Sequence, residues 1–441
     1  MTSDLAYGID YGTTNSSISI AYPDQVEVLN FNPDDPLPAS LPSTVYLHRD
    51  GLRLAGKQAI DQFTITGGRN TACQRCSLVT YTRKFGYETD CRQYQRRSGC
   101  VDSRLMSELK SELTDGSLKG THSWANDFEM EDLVAVVLAH LKNHADRQTG
   151  QDITRAVIGH PIAFFGTTGD RFDQRQDLAE ARLEDAARRA GFTEVELYPE
   201  PVAAALDEVL EDGYVVTADF GGGTFDMAVT SIAGGEGEVV SMEGAAVGGS
   251  MFDKRIFESK VAPKLGLLQG SIPAWFSTGL SSLENFKYLL TNPHTFNVIN
   301  DLQKLDHQAG TIVRSIIIGG QAPRFYKAIE NAKIALSTAE RSSIEFHPPQ
   351  GGLSIDLSRA ELDLIVAPYI ETVEAQIMKA LSTAKIEPDQ VTTVLRTGGS
   401  SRLGSFVELL EGLFGAEKVR EREPFTTVAY GLGIVAQETW L

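Results

Sequence analysis

The 441-residue sequence predicts an α/β fold in which one plan is used twice. Two observations carry this. First, two glycine-hydroxyl segments each follow an apolar run that ends in aspartate: Gly8-Ile9-Asp10-Tyr11-Gly12-Thr13-Thr14-Asn15, and Ala218-Asp219-Phe220-Gly221-Gly222-Gly223-Thr224-Phe225-Asp226. Second, a strand-rich start followed by helices begins at Leu5 and begins again at Tyr214, a duplication signal at the level of pattern.

The elements follow in order. Leu5 to Tyr11, Ser16 to Tyr22, Val26 to Asn30 and Thr44 to Leu47 alternate as a strand meander. Residues 60–125 read as a loop-rich insertion holding every cysteine. Glu129 to Ala145 is a helix, apolar at Met130, Leu133, Val134, Val137, Leu138 and Leu141. Thr154 to Gly159 is a buried strand ending in His160-Pro161, with His160 packed under the site. Gln174 to Ala190 is an amphipathic helix stopped by Gly191. Glu194 to Leu197 is a short strand and Pro201 to Leu210 a helix. Strands then resume at Tyr214, through Met227, Val229 and Ile232, and again from Glu238 to Met242. Residues 268–320 show no strong period and read as an irregular, elaborated subdomain. Ala328 to Ser337 and Arg359 to Leu381 are helices. Val391 to Leu395 is a strand running into Thr397-Gly398-Gly399-Ser400-Ser401-Arg402. Residues 404–415 and Thr426 to Gln437 are the last helices.

The two glycine segments have the chemistry of phosphate loops. Glycine permits positive φ and lets a phosphate approach backbone N–H groups. Thr13, Thr14 and Thr224 add hydroxyl donors. Asp10 and Asp219 stand where they can hold a hydrated magnesium ion that the phosphates also touch. Either segment alone could be an ordinary tight hairpin. A facing pair would clamp a triphosphate from both sides.

Composition narrows the partners. The chain is 42% hydrophobic and 22% charged, with a formal net charge of −19. Such a surface repels nucleic-acid backbones and anionic membranes, and no apolar stretch has the length of a membrane span. Met1-Thr2-Ser3-Asp4 lacks the basic start of a signal peptide, so the expected location is cytoplasmic. The 4 cysteines, Cys73, Cys76, Cys91 and Cys100, lie together in a polar, basic stretch. Three readings stand: a structural zinc site, unpaired surface thiols, or redox disulfides.

In this order the motifs resemble the ATPase domain of the seventy-kilodalton heat-shock chaperones, within the actin-like ATPase superfamily. The Asp10 loop resembles that family's first phosphate motif, and Asp219 to Asp226 its second. Glu200-Pro201-Val202-Ala203-Ala204-Ala205 resembles the connecting segment. Gly398-Gly399-Ser400-Ser401-Arg402 resembles the adenosine motif, Glu330 to Ser337 the helix over adenine, and Val428-Ala429-Tyr430-Gly431 the closing helix. Ala156 to Pro161 and Arg189-Ala190-Gly191-Phe192 are similar to the short YegD-like branch. A full chaperone would continue beyond Trp440-Leu441 into a peptide-binding domain, so peptide-chaperone activity is not implied.

The resemblance implies a two-lobed actin-like α/β fold, with mixed sheets flanked by helices and ATP or ADP with magnesium in the interlobe cleft. Lobe I would be residues 1–208 completed by 421–441, and lobe II residues 209–420 with an elaborated subdomain at about 250–360. It implies slow ATP hydrolysis, with lobe closure acting on a protein partner that the sequence does not name. Asp10 and Asp219 would hold magnesium through water, with Glu200 orienting waters nearby and Thr224 acting where charge develops. Gly12, Thr13, Thr14, Asn15, Gly221, Gly222, Gly223, Asp226, Gly248 and Gly249 would surround the phosphates. Glu330 and Lys333 would meet the ribose, Ser337 the adenine, and Gly398, Gly399, Ser400 and Arg402 the nucleoside. Ile334 stands where chaperones carry an adenine-stacking arginine. The water-orienting lysine is Lys110 or its rival Lys84, with Lys110 favoured by its distance from the Glu129 helix. Two other classes remain: a pseudo-ATPase that binds nucleotide as a structural ligand, and a small-molecule kinase on the same fold.

Overall fold

The computed structural model describes residues 5–33, 37–48, 50–66, 82–84, 87–89, 103–123, 126–164, 167, 173–206, 211–234, 236–292, 294–423 and 425–441. Two sheets carry the duplicated plan. The first contains β1 (Ala6–Tyr11), β2 (Asn15–Ala21), β3 (Val26–Val28), β4 (Arg155–His160) and β5 (Glu194–Pro199), in the order β5-β4-β1-β2-β3, with Leu41–Pro42 also paired to β2. The second contains β6 (Gly213–Phe220), β7 (Phe225–Ala233), β8 (Glu236–Ala245), β9 (Val391–Thr397) and β10 (Val419–Glu421), in the order β10-β9-β6-β7-β8. Strand for strand the orders are the same. In each, the first strand is antiparallel to the second and parallel to the fourth.

The two glycine segments therefore close equivalent hairpins. Asp10 pairs in register with Ser17, and Tyr11 with Ser16, so the chain turns through Gly12 to Asn15. Asp219 pairs with Asp226, and Phe220 with Phe225, around Gly221 to Thr224. These strands are apolar on both faces because helices cover both sides. Tyr7, Ile9, Tyr11, Val215, Val216, Ala218 and Phe220 are buried.

The helices used below are α1 (Leu109–Glu112), α2 (Met130–Thr149), α3 (Gln174–Arg189), α4 (Glu200–Ala203), α5 (Gly249–Ile256), α6 (Ala322–Ala335), α7 (Arg359–Ala384), α8 (Gly404–Phe414) and α9 (Thr427–Trp440). Their ends follow from the sequence. Glu129 and Asp132 form a capping box at the start of α2, and Gly150 closes it in the left-handed conformation. Asp173 caps α3 through Arg175 N, and Gly191, at φ 104°, follows its end. Ser358 and Glu361 form the capping box of α7. The closing helix α9 lies directly on β1. A methyl group on Gly8 would collide with the backbone of Leu432 and Gly433, so glycine there sets the close approach.

Each sheet supports its own apolar core. The larger core, around the second sheet, also takes in Tyr46, Ala59, Phe63 and Leu105 from the first half, so the halves share apolar contact. Among the described residues, no helix is long and apolar enough to cross a membrane.

Two sequence expectations need correction. Residues 268–320 are not irregular: they form helices Ala274–Gly279, Leu283–Thr291, Thr295–Leu305 and His307–Ile317. The 60–125 segment also carries more order than a loop. It includes the end of helix Gly56–Thr66, strand Ser103–Met106, α1 and strand Gly120–Ser123. Cys73, Cys76, Cys91 and Cys100 lie outside the described residues.

Candidate functional site

The sheet topology brings the two glycine loops face to face. A methyl placed on Gly222 would lie 2.5 Å from Thr14 Oγ1 and 2.7 Å from its Cγ2, and one on Gly223 would strike Thr13. Asn15 Nδ2 donates to Thr14 Oγ1 at 3.3 Å. Thr13 and Thr224 line one recess with Lys110, Ser111, Pro161 and Phe164.

Beneath the loops sits a buried ion pair. Lys110, on α1, donates from Nζ to Glu200 Oε1 at 2.6 Å, with the two side chains 6% and 8% exposed. Glu200 opens α4 at the end of β5. It passes so close to β4 that a methyl on Gly159 would lie 2.9 Å from Glu200 Cγ. Lys84 ends the strand Thr82–Lys84, paired with Tyr87–Thr89; its side chain lies outside the described residues. His160 Nδ1 lies 3.0 Å from Pro161 O and 3.9 Å from Glu180.

Crowded carboxylates dominate the electrostatics. Burial, then the charge of Glu200, pushes Asp10 up to about 7, with Lys110 pulling the other way. Asp226 is also pushed up to about 7 by burial and Glu200, against hydrogen bonds from Thr224 and Ala163 N–H. Asp219 is raised well above the usual carboxylate range by burial, Glu200, Asp10 and Asp226. For Lys110, burial disfavours the ammonium, but Glu200 and Asp10 outweigh it and the net direction is up. Acids held this way favour a bound cation or proton.

Asp226 also ties the halves together, accepting from Ile162 N at 2.7 Å and Ala163 N at 3.3 Å in the loop after β4. This linking role, the lining by Ser111, Pro161 and Phe164, and the close fit of Gly159 carry no pattern that sequence reading could isolate.

Of the remaining predicted residues, Gly248, Gly249, Gly398 and Ser400 gather at the second loop and Lys333 reaches Gly249, whereas among the described residues no contact brings Glu330, Ser337 or Arg402 to it. A methyl on Gly248 would run into Gly222 and Gly223 backbone, and one on Gly249 would lie 2.8 Å from Ser400 Oγ. Ser400 Oγ donates to Gly221 O at 2.8 Å. Gly398, at φ 83°, packs on Asp219 and Phe220, with Gly399 next to it in the turn Gly399–Arg402. Lys333 Nζ, from α6, donates to Gly249 O at 3.0 Å and Asp253 Oδ2 at 2.8 Å. Glu330 pairs with Lys327 and not with Lys333. Ser337, half-buried, follows the end of α6, donating its N–H to Ile334 O. Arg402 is 43% exposed and pairs with Glu421 at 2.6 Å and Glu423 at 3.9 Å.

Comparison with known proteins agrees with this geometry. Residues 6–263 and 320–437 match the family described as Hsp70 protein. The unmatched 264–319 contains the four helices absent from the sequence expectation. A "Chaperone protein DnaK" from Thermosipho melanesiensis is 26% identical over 445 residues, 98% of this chain and 59% of that protein. The "Heat shock 70 kDa protein BIP3" of Oryza sativa subsp. japonica is 26% identical over 443 residues, 97% of this chain and 56% of that protein. The chain thus spans under three fifths of the length of these relatives. With most of its length matched, and with two like mixed sheets flanked by helices, the chain belongs to the Hsp70 protein family and has the family's actin-like ATPase fold.

Proposed function

We propose that this protein binds ATP with magnesium between the Gly12–Asn15 and Gly221–Thr224 loops and hydrolyses it slowly by water attack. The observation that carries the reading is the direct contact of the two loops, Gly222 against Thr14 and Gly223 against Thr13, over the buried Lys110–Glu200 pair. Loops this close must separate to admit a triphosphate, so binding is coupled to their spacing. Hydrolysis would then bias an open–closed equilibrium between lobe I (1–208 with 421–441) and lobe II (209–420), which acts on a partner protein.

The residues present fit a magnesium ion. Asp10, Glu200, Asp219 and Asp226 act on one another, and Lys110 is a cation acting on the three aspartates. Among the described residues no three His, Cys, Asp or Glu side chains converge as direct ligands of one metal. Asp10 and Asp219 would hold the ion through its waters. The ion would supply charge neutralisation at the phosphates. Lys110 orients the attacking water and offsets charge on the terminal phosphate, Glu200 fixes Lys110, and Thr224 with the loop N–H groups donates to the phosphates. Gly398, Gly399 and Ser400 would approach the nucleoside, with Lys333, Glu330 and Ser337 on its far side; Arg402 would reach it by leaving Glu421. A zinc site at the four cysteines has no support beyond their spacing.

Calorimetric titration tests the reading. ATP should bind with magnesium and much more weakly without it. No ATP or ADP binding up to millimolar concentration would remove the proposal.

A further inference from the structure

α1 is too short to hold its own place. A four-residue helix has almost no internal stabilisation, and its closing bond, Leu113 N to Lys110 O, is long at 3.4 Å. It starts from Glu108 in the left-handed region at φ 58°, ψ 28°, a conformation a non-glycine residue keeps only when its surroundings enforce it. Yet Lys110 meets Glu200 at hydrogen-bond distance. Something outside α1 fixes it.

Part of that fixture is the apolar core, which buries Leu109, Leu113 and Leu118; its polar part is Arg182 on α3, itself only 7% exposed. Its Nη1 donates to Leu113 O at 2.9 Å and Asp115 O at 3.2 Å, and its Nη2 to Leu118 O at 2.7 Å. Its Nε lies 3.4 Å from Glu131 Oε1 on α2, which orients the guanidinium plane. Three carbonyls of the turn that leaves α1 thus converge on one planar fork. A lysine ammonium, a single point on a flexible stem, cannot reproduce that geometry.

We infer that Arg182 is a positioning residue for hydrolysis: by gripping the Leu113–Leu118 turn it sets where Lys110 stands against Glu200. The same helix also holds Phe164, which lines the recess with Lys110. Six positions earlier, Gln176 Oε1 accepts from Phe164 N at 3.2 Å and Thr167 Oγ1 at 3.1 Å. α3 is a bracket behind the site that touches neither glycine loop through these two residues.

This inference rests on the ATPase reading for its catalytic consequence, but not for its geometry, and the test separates them. Lysine acylation in the whole protein, followed residue by residue by mass spectrometry, reports whether Lys110 is held. Lys142, buried on α2 in its own pairs with Asp146 and Asp152, is the internal control for global unfolding. In Arg182→Ala and Arg182→Lys, Lys110 should be acylated about tenfold faster while Lys142 stays protected. In turnover, kcat should fall about ten- to a hundredfold, the scale of a small misplacement, with KM changed less than about twofold. Lys110 protection unchanged in Arg182→Lys would overturn the inference. So would Lys110 and Lys142 becoming reactive together, which would make Arg182 a general fold residue. A wild-type protein without hydrolysis would sink the ATPase reading and leave the acylation result to decide the role of Arg182.

Discussion

Lys110 Nζ and Glu200 Oε1 lie 2.6 Å apart with both side chains all but excluded from water. The pair joins the insertion of the first half to the segment that links the two halves. Breaking such a pair leaves a bare buried charge, which costs about 3–5 kcal/mol. Lys110→Met should therefore melt earlier than wild type, and the double variant with Glu200→Gln should recover part of the loss. In both, turnover should fall by about 10²-fold or more if the ammonium acts, as proposed, where charge develops. A thermal scan and a turnover assay on the same preparations check both halves of the statement. Unchanged stability in Lys110→Met would refute the buried pair.

Contact between the loops leaves no room for a side chain at Gly222 while Thr14 stands opposite it. Alanine there meets Thr14 at 2.5 Å, and overpacking of this kind costs about 1–3 kcal/mol. Gly222→Ala should lower the melting temperature, and Thr14→Ala in the same chain should restore part of the loss. Scanning calorimetry on the two variants is the check; an additive, uncompensated double variant would mean that the loops do not meet in solution.

The raised carboxyls predict a pH dependence with a definite sign. Asp10 and Asp226 are pushed up to about 7 in the folded protein, and Asp219 is also raised. Groups that bind protons more tightly when folded stabilise the fold fully below their unfolded pKa, and that contribution is lost as pH rises through the folded value. Without nucleotide, the contribution of these residues to stability should decline between about pH 4 and pH 7. Asp10→Asn should flatten this part of the melting-temperature profile. Magnesium-ATP binding near pH 7 should release protons, seen as a binding enthalpy that varies with buffer ionisation heat. An enthalpy independent of buffer would contradict the protonated carboxyls.

Ile334 is exposed on α6, one residue from Lys333. An arginine there could stack on adenine, an interaction worth about 0.5–1 kcal/mol at an exposed site. Ile334→Arg should slow ADP dissociation about two- to fivefold, measured by stopped-flow with a fluorescent analogue. No change in the rate would place adenine elsewhere.

Much of this was legible in the sequence because it depends on local chemistry. Asp10 and Asp219 end apolar runs, glycines follow, and the hairpins close where these signals fall. Helix ends at Gly150, Gly191 and Ser358 obey capping rules. The helices between residues 274 and 317 were missed although two of them carry a helical apolar repeat that the core buries: Val298, Ile299 and Leu302 in one, and Ile312, Val313, Ile316 and Ile317 in the other. Their caps were available: Ser282 accepts from Asn285 N, and Asp306 from Ala309 N. What no local pattern holds is tertiary pairing. Asp226 reaching Ile162, Gly159 making room for Glu200, and Arg182 gripping the turn after Lys110 join residues far apart in the chain.

The central claim is that the two loops serve ATP hydrolysis, and single-turnover phosphate release tests it most directly. Protein in excess over magnesium-ATP, with no acceptor present, should release close to one phosphate per ATP. Asp219→Asn and Thr224→Val should each slow that release by about 10²-fold or more while still folding. Bound ATP that stays intact in wild type, or equal rates in wild type and both variants, would contradict the account.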